Sequence, residues 1–426
     1  MPANKWEPVL PDSAGIAGGG LALAGLRIDW LAERYETPLY IYDETTLRNK
    51  ARHALEAFAP LKARVSFAAK ACSTLGVLRI LRVEMLGLDV VSGGELEAGL
   101  RADFTAKDMH LHGNCKTASE LETAVEMEIR AIVLDNTVEL SQLETVCARL
   151  RKHARVWLRM APSLEAETHP YLRTTGRRVK FGFASPSCEE QAALNAVARS
   201  RWLKLSGLHV HLGSQITDVR IYQRAAQRLI EIAESVPGDI SELELSLGGG
   251  WAVAYRPGDS FLEAERVAAA LAPAFEAHDS YRAAVEPGRA LVARAALAVY
   301  RVGSVKKRDG VRIVAVDGGM GDNPRPALYG TQYAAILPSR PLDEPVGPAD
   351  IVGRYCESGD VLARDVLLPP VAGGDLVCIP VSGAYQLSMA STYNLVPQPA
   401  VISVRDGEAR LLTRRATHDD LFAREI

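Results

Sequence analysis

Short apolar runs that end in polar or glycine residues recur from residue 65 to residue 290. Each run has the length of a buried strand, and an amphipathic segment at helical spacing follows most of them. Strands that alternate with helices predict a parallel sheet. The eight runs are VSFAA (65–69), GLDVVS (87–92), MHLHGN (109–114), AIVLDN (131–136), RVWLRM (155–160), GLHVHLGS (207–214), LELSLGGG (243–250) and AAVEPGR (283–289).

The number of strands indicates the fold class. Eight strand–helix units over about 220 residues fit a (β/α)8 barrel, which usually has about 250 residues. A doubly wound sheet is the alternative, but it does not require eight units. Asp43 is well placed to cap the first barrel helix, which is predicted to run to about Leu61. Further helices are predicted at 75–81, 94–102, 118–128, 138–153 and 222–235.

The pattern changes after Arg289. Alternating apolar and polar runs, separated by Asp-Gly, Pro and Gly turns, predict a mostly antiparallel β domain. These runs lie at 296–305, 311–319, 376–383 and 400–407. The strand-like PLYIYD (38–43) precedes the first barrel helix and is expected to join this domain. We therefore predict a barrel domain at 43–290 and a β domain formed by 1–42 and 291–426.

The strand ends should carry the chemistry, because catalytic groups of a (β/α)8 barrel lie at the C-terminal ends of its strands. Almost every predicted end is polar or glycine. Lys70 ends the first strand, where burial disfavours the charged form and makes the amine a good nucleophile toward a carbonyl. The alternative is a lysine whose ammonium simply reaches solvent. The basic segment 168–183, between strands five and six, is expected to form a loop over the barrel mouth.

Two motifs near the end of the predicted barrel are typical of a phosphate-binding site. Gly248–Gly250 would let a phosphate approach backbone N–H groups closely, although a plain turn explains three glycines equally well. Glu286 and Arg289, in the motif EPGR, could bind a cationic and a phosphate group of one ligand. A salt bridge between the two side chains is the competing interpretation.

Two histidine pairs raise a metal site as an alternative. His110 and His112 share one face of a strand, as do His209 and His211, because side chains alternate along a strand. No cluster of Asp or Glu accompanies either pair at the same predicted strand ends, and one histidine of each pair could lie in the barrel packing. We therefore predict no metal site.

Composition and charge exclude several classes of protein. A net charge of −3 does not indicate a basic surface for binding nucleic acid or an anionic membrane. No apolar run reaches the roughly 18 residues of a transmembrane helix. The small apolar segment 14–26 follows Glu7 and Asp12 instead of a basic stretch, which argues against a signal peptide. Six cysteines without a C-x-x-C pair are typical of free thiols, so we expect a cytoplasmic protein.

The chain resembles a known family in an ordered set of motifs. It is similar to the pyridoxal-phosphate-dependent decarboxylases with an alanine-racemase-like barrel, and within them to the diaminopimelate decarboxylases. The resemblance runs from about residue 25 to residue 404. The motifs are FAAKA (67–71), DVVSGGE (89–95), THPY (168–171) with KFGF (180–183), HVHLGSQI (209–216), LGGG (247–250), EPGR (286–289), RPALYG (325–330), CESGD (356–360) and GAYQLSMASTYN (383–394).

The resemblance implies a cofactor site for pyridoxal 5'-phosphate. Lys70 would hold the cofactor as an internal Schiff base, His211 would stack on the pyridine ring, and Glu286 would pair with the ring nitrogen and keep it protonated. Asp89 would support the ring region. The residues implied for the phosphate and its surroundings are Ser214, Gly248, Gly249, Gly250, Gly288, Arg289 and Tyr385.

The resemblance also implies substrate contacts and a homodimer. Arg289, Arg325 and Tyr329 match positions that grip the distal carboxylate of the substrate, with Tyr385 beside them. Cys356 and Glu357 match residues that family members insert into the partner subunit's site. Cys356 would donate a proton to the carbanion, and Glu357 would bind the distal amine. Lys70, His211 and Cys356 are therefore the implied catalytic residues.

The implied reaction is the decarboxylation of meso-diaminopimelate to L-lysine and carbon dioxide. Arg325 favours a substrate with a second carboxylate over ornithine. Alternatives are decarboxylation of carboxynorspermidine, ornithine or lysine, or carrier-bound glutamate. Less favoured alternatives are a racemase, a non-catalytic binding relative and a metal-dependent hydrolase. Two residues depart from the family pattern: Cys72 stands where relatives commonly have Asn, and Tyr333 near where many have His.

Overall fold

The computed structural model describes residues 6–162, 164, 180–236 and 243–426. The chain forms two compact units. The first, called the β unit here, contains Met1–Lys50, Val253–Ser260 and Leu291–Ile426. The second, called the barrel unit, contains Ala51–Ala252 and Phe261–Ala290.

The N-terminal elements form a small sheet, a helix and one strand of the main β sheet. They are β1 (Ala14–Ala17), β2 (Gly20–Leu23), β3 (Leu26–Arg27), α1 (Ile28–Tyr35), β4 (Leu39–Asp43) and α2 (Glu44–Phe58). The pairs β1–β2 and β2–β3 are antiparallel. Asp43 caps α2 as predicted, because its Oδ2 accepts the Thr46 N–H at 3.1 Å.

Eight parallel strands of the barrel unit close into a ring. The strands of this region are β5 (Arg64–Ala68), β6 (Gly87–Val90), β7 (Met109–Leu111), β8 (Ala131–Leu134), β9 (Ala154–Pro162), β10 (Phe183–Ser185), β11 (Leu203–His209), β12 (Glu244–Ser246) and β13 (Arg282–Val285). The ring follows chain order without β10, and β13 pairs back onto β5. The predicted (β/α)8 barrel and its eight strands are confirmed. The extra strand β10 extends the sheet from β9, at a place where we predicted only a loop.

Helices follow the strands around the ring. They are α3 (Leu75–Val83), α4 (Gly93–Arg101), α5 (Ala118–Glu126), α6 (Thr137–Leu150), α7 (Cys188–Arg199), α8 (Arg220–Glu234), α9 (Ala264–Glu276) and α10 (Arg289–Val292). Side chains at the N-caps of α4, α5 and α6 (Ser92, Thr117 and Asn136) accept backbone N–H groups, which fixes where each helix starts after its strand. Ala131, Val133, Trp157 and Ala284 pack together as a buried cluster on the barrel strands.

The β unit contains a mixed sheet. Its further elements are β14 (Ala296–Arg308), β15 (Val311–Val316), α11 (Arg325–Tyr329), β16 (Gly347–Val352), β17 (Val361–Leu368), β18 (Leu376–Ile379), β19 (Ala400–Arg405), β20 (Glu408–Thr413) and α12 (His418–Phe422). The order is β17-β16-β15-β14-β4-β19-β20, with β18 also paired to β14. Only β15–β16 and β4–β19 are parallel among these pairs of described strands. The mostly antiparallel domain and the inclusion of β4 are confirmed.

Hydrophobic residues from distant parts of the sequence form the core of the β unit. Leu39 and Ile41 of β4 pack with Leu297 and Val299 of β14 and with Ile402 of β19, all almost completely buried. This core explains why β4 belongs to the sheet, since LYIY has no exposed residue. In the described part of the chain, no helix is both long and apolar enough to cross a membrane.

Candidate active site

Lys70 lies immediately after β5, in a single 3-10 turn, Ala69–Ala71. The alanines on both sides are buried, while Lys70 itself is half-buried. Its ammonium acts electrostatically on Asp89, Glu95 and His211. The strand-end lysine is therefore surrounded by ionisable groups of the barrel.

Glu286, just after β13, has three polar side chains close to its carboxylate. Its Oε1 accepts the Ser246 hydroxyl at 2.8 Å, and its Oε2 lies 3.1 Å from Nε2 of His209. Nε2 of His112 lies 3.5 Å from Oε1. Side chains at the ends of β7, β11 and β12 thus hold one buried carboxyl group in a fixed orientation.

The charge states of Glu286 and His209 follow from these contacts. Burial alone would raise the pKa of the Glu286 carboxyl, but His112 and His209 outweigh it and bring the pKa well below its usual range. Burial lowers the pKa of His209 to about 4, even though Glu286 acts in the opposite direction. At neutral pH the pair is therefore an ionised carboxylate that accepts a hydrogen bond from a neutral imidazole.

Several buried polar atoms near Glu286 have no hydrogen-bond partner among the described residues. They are Oδ1 of Asp89, Nε2 of His112 and Nδ1 of His209. Oδ1 of Asp89 lies 3.5 Å from Nε2 of His112, which is too far for a good hydrogen bond. Burial raises the pKa of Asp89, and the neighbouring Glu286 raises it further. Polar atoms in this state are typical of a site that binds a polar ligand.

His211 and His110 have different surroundings. Burial lowers the pKa of His211 well below its usual value, and the nearby Lys70 and Arg159 lower it further. His110 packs on Trp157, with the ring centroids 4.3 Å apart. Neither ring nitrogen of His110 has a hydrogen-bond partner in the described structure. His110 is therefore the histidine that lies in the barrel packing.

We expected no cluster of Asp or Glu at the same strand ends as the histidine pairs. A single carboxylate from another strand end nevertheless lies close: His112, His209 and Glu286 place their ligand atoms within 4.8 Å of one another. The strands β7, β11 and β13 bring them together, and their separation along the sequence conceals this. Two imidazoles and one carboxylate could bind a divalent transition metal as well as a hydrogen-bonding ligand.

The three-glycine turn after β12 requires glycine. Gly250 has φ +95, and a Cβ there would lie 2.2 Å from the carbonyl oxygen of Gly213. A Cβ at Gly249 would lie 2.4 Å from the carbonyl oxygen of Glu286. Among the described residues, no acceptor takes the N–H of Gly249 or Gly250. The turn therefore presents backbone donors where side chains are sterically excluded, as an anion site requires.

Ser214 and Arg289 lie together in the same unit. Nη2 of Arg289 donates to the Ser214 hydroxyl at 3.1 Å. Gly288 lets the chain pass close to β5, because a Cβ there would lie 3.0 Å from Cβ of Ala71. The competing interpretation, a salt bridge between Glu286 and Arg289, is not among the ion pairs of Glu286 in the described structure, where Glu286 contacts His209 and His112.

Arg159, in the second half of β9, was not among the predicted site residues. Its guanidinium acts on Asp89, Asp135 and Glu286, and it lies over the Phe181 ring at 4.2 Å. Burial lowers its pKa. The sequence showed it as one of several polar strand ends, but nothing local separated it from a surface arginine. Ser246 was missed for the same reason. THPY (168–171) lies outside the described residues, so its prediction stays a prediction.

In the β unit, Arg325 is buried between two tyrosines. Its Cζ lies 5.0 Å from the ring centroid of Tyr329 and 5.5 Å from that of Tyr385. The residue is 3% exposed. No carboxylate among the described residues forms an ion pair with it. A guanidinium in this state is a strong candidate to bind an anion.

Cys356 and Glu357 lie on an exposed turn of the β unit. Glu357 accepts the Tyr393 hydroxyl at 2.6 Å, and the Cys356 N–H donates to Asn394 Oδ1 at 3.3 Å. The turn is anchored by Asp360, which accepts the Tyr355 N–H at 2.8 Å. Both predicted side chains are thus solvent-accessible in a single chain.

The fold and the barrel site together define a class of protein. Residues 44–293 match the family model described as pyridoxal-dependent decarboxylase, pyridoxal binding domain. This match covers the whole barrel with its lysine, its three-glycine turn and Glu286.

Full-length relatives narrow the class. The chain is 40% identical to the diaminopimelate decarboxylase of Bacillus subtilis, over 96% of this chain and 95% of the relative. It is 42% identical to that of Actinosynnema pretiosum, over 99% and 97%. The crystal structure of the M. jannaschii diaminopimelate decarboxylase in complex with L-lysine has a TM-score of 0.91 at 29% identity, covering 97% of this chain and 98% of that one. The chain belongs to the diaminopimelate decarboxylase family.

The residues of the barrel fit the cofactor of this family, pyridoxal 5'-phosphate. Lys70 provides an amine that interacts electrostatically with Asp89 and His211, and Glu286 provides a buried, ionised carboxylate in the same barrel. The N–H groups of Gly249 and Gly250, with Arg289 and Ser214, provide donors for a phosphate. The unpartnered atoms of Asp89 and His112 lie where a polar ring substituent could satisfy them. Family membership and site chemistry therefore identify the protein as a pyridoxal-phosphate enzyme.

Proposed function

We propose that the protein decarboxylates meso-diaminopimelate to L-lysine and carbon dioxide. The observation that carries this proposal is a match to a diaminopimelate decarboxylase over nearly the full length of both chains, at 40% identity. The L-lysine in the M. jannaschii complex is the expected product, and it retains one carboxylate and both amines of the substrate. The buried Arg325, which forms no ion pair with a carboxylate in the described part of the chain, supports a substrate with a second acidic group.

Pyridoxal phosphate supplies the electron sink that loss of carbon dioxide requires. Lys70 would hold the cofactor through its amine until the substrate amine replaces it. Glu286, ionised and held by Ser246 and His209, would keep a proton on the ring nitrogen. His211 would cover one ring face as a neutral imidazole, and Asp89 would support the ring region. The proposed phosphate ligands are Ser214, Gly248, Gly249, Gly250, Gly288, Arg289 and Tyr385.

The substrate roles rest on the resemblance and on the chemistry of the side chains. We propose that Arg325, with Arg289, Tyr329 and Tyr385, binds the distal carboxylate. Glu357 would bind the distal amine. Cys356 would give a proton to the substrate carbon after carbon dioxide leaves. The exposure of Cys356 and Glu357 supports their use by another subunit.

We further propose a cytoplasmic homodimer whose subunits share active sites. The domains 43–290 and 1–42 with 291–426 would then have separate tasks. The first would bind the cofactor, and the second would provide substrate contacts and the turn that enters the partner's site. The six cysteines are free, which supports a reducing compartment.

The test is an assay of carbon dioxide release from meso-diaminopimelate, ornithine and lysine in parallel. We expect activity with meso-diaminopimelate and L-lysine as product. Activity with ornithine alone would overturn the substrate assignment. Lys70→Ala should abolish both turnover and the covalent attachment of cofactor after borohydride reduction, whereas Lys306→Ala, on an exposed part of β14, should change neither.

A further inference from the structure

The buried Arg325 must be held in place by its surroundings. It lies in α11, a helix of five residues, and its aromatic neighbour Tyr385 lies in a different loop, after β18. A short helix and a loop are easily displaced, and a buried guanidinium tolerates little displacement before it loses its contacts. Something must therefore fix the Arg325 segment and the Tyr385 segment relative to each other.

The backbone at Tyr385 is in an unusual conformation. Its φ is +56, in the left-handed region that residues with a side chain rarely adopt. Such a conformation persists only where neighbouring contacts hold it. The next residue, Gln386, is 1% exposed and forms hydrogen bonds inside the unit.

Gln386 joins a buried network of tyrosines. Its Oε1 lies 2.8 Å from the hydroxyl of Tyr40, and its Nε2 donates to the Tyr333 hydroxyl at 3.1 Å. Tyr40 belongs to β4, in the middle of the main sheet. The loop that carries Tyr385 is thus tied to an inner strand of the main sheet.

The same tyrosine reaches the segment that leads into Arg325. The Tyr40 hydroxyl lies 3.1 Å from Oδ2 of Asp322, which also accepts the Tyr300 hydroxyl at 2.5 Å. Oδ1 of Asp322 accepts the Gly319 N–H at 3.0 Å. Asp322 is therefore the anchor of the loop three residues before Arg325.

We propose that Tyr40, Gln386 and Asp322 form a positioning network that sets Arg325 against Tyr385 and thereby determines specificity for a ligand carboxylate. Tyr40 is its central member, because one hydroxyl lies within hydrogen-bonding distance of both loop segments. The inference rests on the proposed function, in which Arg325 binds the carboxylate that meso-diaminopimelate and L-lysine share. None of the three network residues contacts Arg325 through a side-chain hydrogen bond, so their effect on binding is indirect.

The experiment compares L-lysine with cadaverine, the diamine that lacks the carboxylate. Their dissociation constants are measured by calorimetry on the full-length holoenzyme, for the wild type, Tyr40→Phe and Gln386→Met. Each substitution should weaken L-lysine binding about fivefold to twentyfold and leave cadaverine within about twofold, because only the carboxylate contact depends on Arg325. In steady state, KM for meso-diaminopimelate should rise by a similar factor while kcat stays within about threefold.

The double variant tests whether the residues act as one network. Tyr40→Phe with Gln386→Met should weaken L-lysine binding little more than either single change, because both remove the same connection. Thr46→Val is the control for a lost buried hydrogen bond, since Thr46 is completely buried in the same unit and donates to Asp43. This control should bind L-lysine like the wild type.

The outcomes separate this inference from the proposed function. Loss of L-lysine and cadaverine affinity in equal measure, or no change in either, would overturn the positioning network while wild-type turnover keeps the proposed function standing. A wild type that neither binds L-lysine nor decarboxylates meso-diaminopimelate would overturn the proposed function. If Tyr40→Phe does not fold, Gln386→Met alone decides, since it keeps the tyrosine and removes only the amide.

Discussion

His209 lies 3.1 Å from Glu286, and its neutral Nε2–H donates to an ionised, buried carboxylate. Burial would normally protonate such a carboxyl group, yet its histidine neighbours keep its pKa well below the usual range. The barrel therefore keeps one negative charge inside its mouth, held between two imidazoles and the Ser246 hydroxyl. A cationic ring nitrogen would complete this arrangement.

Replacing Glu286 by Gln should lower kcat about 100-fold or more, because the amide cannot hold a proton on the ring nitrogen. The KM for meso-diaminopimelate should change little, since the substrate carboxylates are bound elsewhere. Carbon dioxide release measures both constants. Glu190→Gln removes another buried carboxylate of the barrel unit, one paired with Arg228 at 2.9 Å, and should retain wild-type turnover. Equal losses in the two variants would contradict the role of Glu286.

His110 makes the apoprotein sensitive to acid. Burial places its pKa well below 6.5 in the folded state, so below pH 6.5 the unfolded chain binds a proton that the folded chain does not. Stability is therefore complete above pH 6.5 and falls as the pH decreases. Between pH 7 and pH 5 the wild type should lose about 2 kcal/mol more stability than His110→Leu. This difference corresponds to about 4 °C in the melting temperature.

Thermal unfolding of the apoprotein at the two pH values measures this effect. At pH 7 the variant should be as stable as the wild type or more so, since it removes two buried nitrogens without hydrogen-bond partners. His53→Leu, on an exposed part of α2, is the control and should leave the pH dependence unchanged. A wild-type pH dependence in His110→Leu would argue against this assignment.

Gly250→Ala should weaken cofactor binding at least about 30-fold, because its Cβ would collide with the Gly213 carbonyl oxygen and displace the turn. Gly258→Ala is a matched control. Its φ of +92 is close to the +95 of Gly250, but a Cβ there would meet no atom within 4 Å. Both variants should lose some stability from backbone strain, and only Gly250→Ala should lose affinity for pyridoxal phosphate in an equilibrium titration. Similar affinities in the two variants would show that the turn does not bind the phosphate.

Mixing two inactive variants tests the shared active site. A dimer of one Lys70→Ala chain and one Cys356→Ala chain contains one intact site if Cys356 acts in the partner subunit. Random reassociation should then restore about a quarter of wild-type activity. Cys188→Ala, at another exposed cysteine, should be active alone. Absence of any gain on mixing, with dimers present by sedimentation, would place Cys356 outside the partner's site.

The barrel could be predicted because its strands and helices are local patterns. A strand buried on both faces appears as a continuous apolar run, and all eight were recognisable. The sheet strand β20 was missed because its side chains are mostly exposed, and its Leu411 is 53% exposed. Strand β10 was missed because three residues next to a basic loop carry no periodic signal.

The site was predictable only where a strand end had an unusual residue type or matched a family motif. Lys70 and Glu286 were found in this way. The partners of Glu286 were not, because His112, His209 and Ser246 come from three separate strands, and only ring closure places them together. The network of Tyr40 and Gln386 joins residues 346 positions apart. No local pattern connects residues so distant in sequence.

The position of β4 has a consequence for synthesis on the ribosome. This strand pairs with β14, made some 250 positions later, and with β19, made some 360 positions later, which is about 12 to 70 seconds at ordinary elongation rates. During that interval the backbone N–H and C=O groups on both edges of the apolar segment LYIY are unpaired. Such edges can pair with another chain and so promote aggregation. The barrel between them can form meanwhile from contacts within its own segment. Protection of β4 by a chaperone is therefore the step on which the yield of this protein should depend.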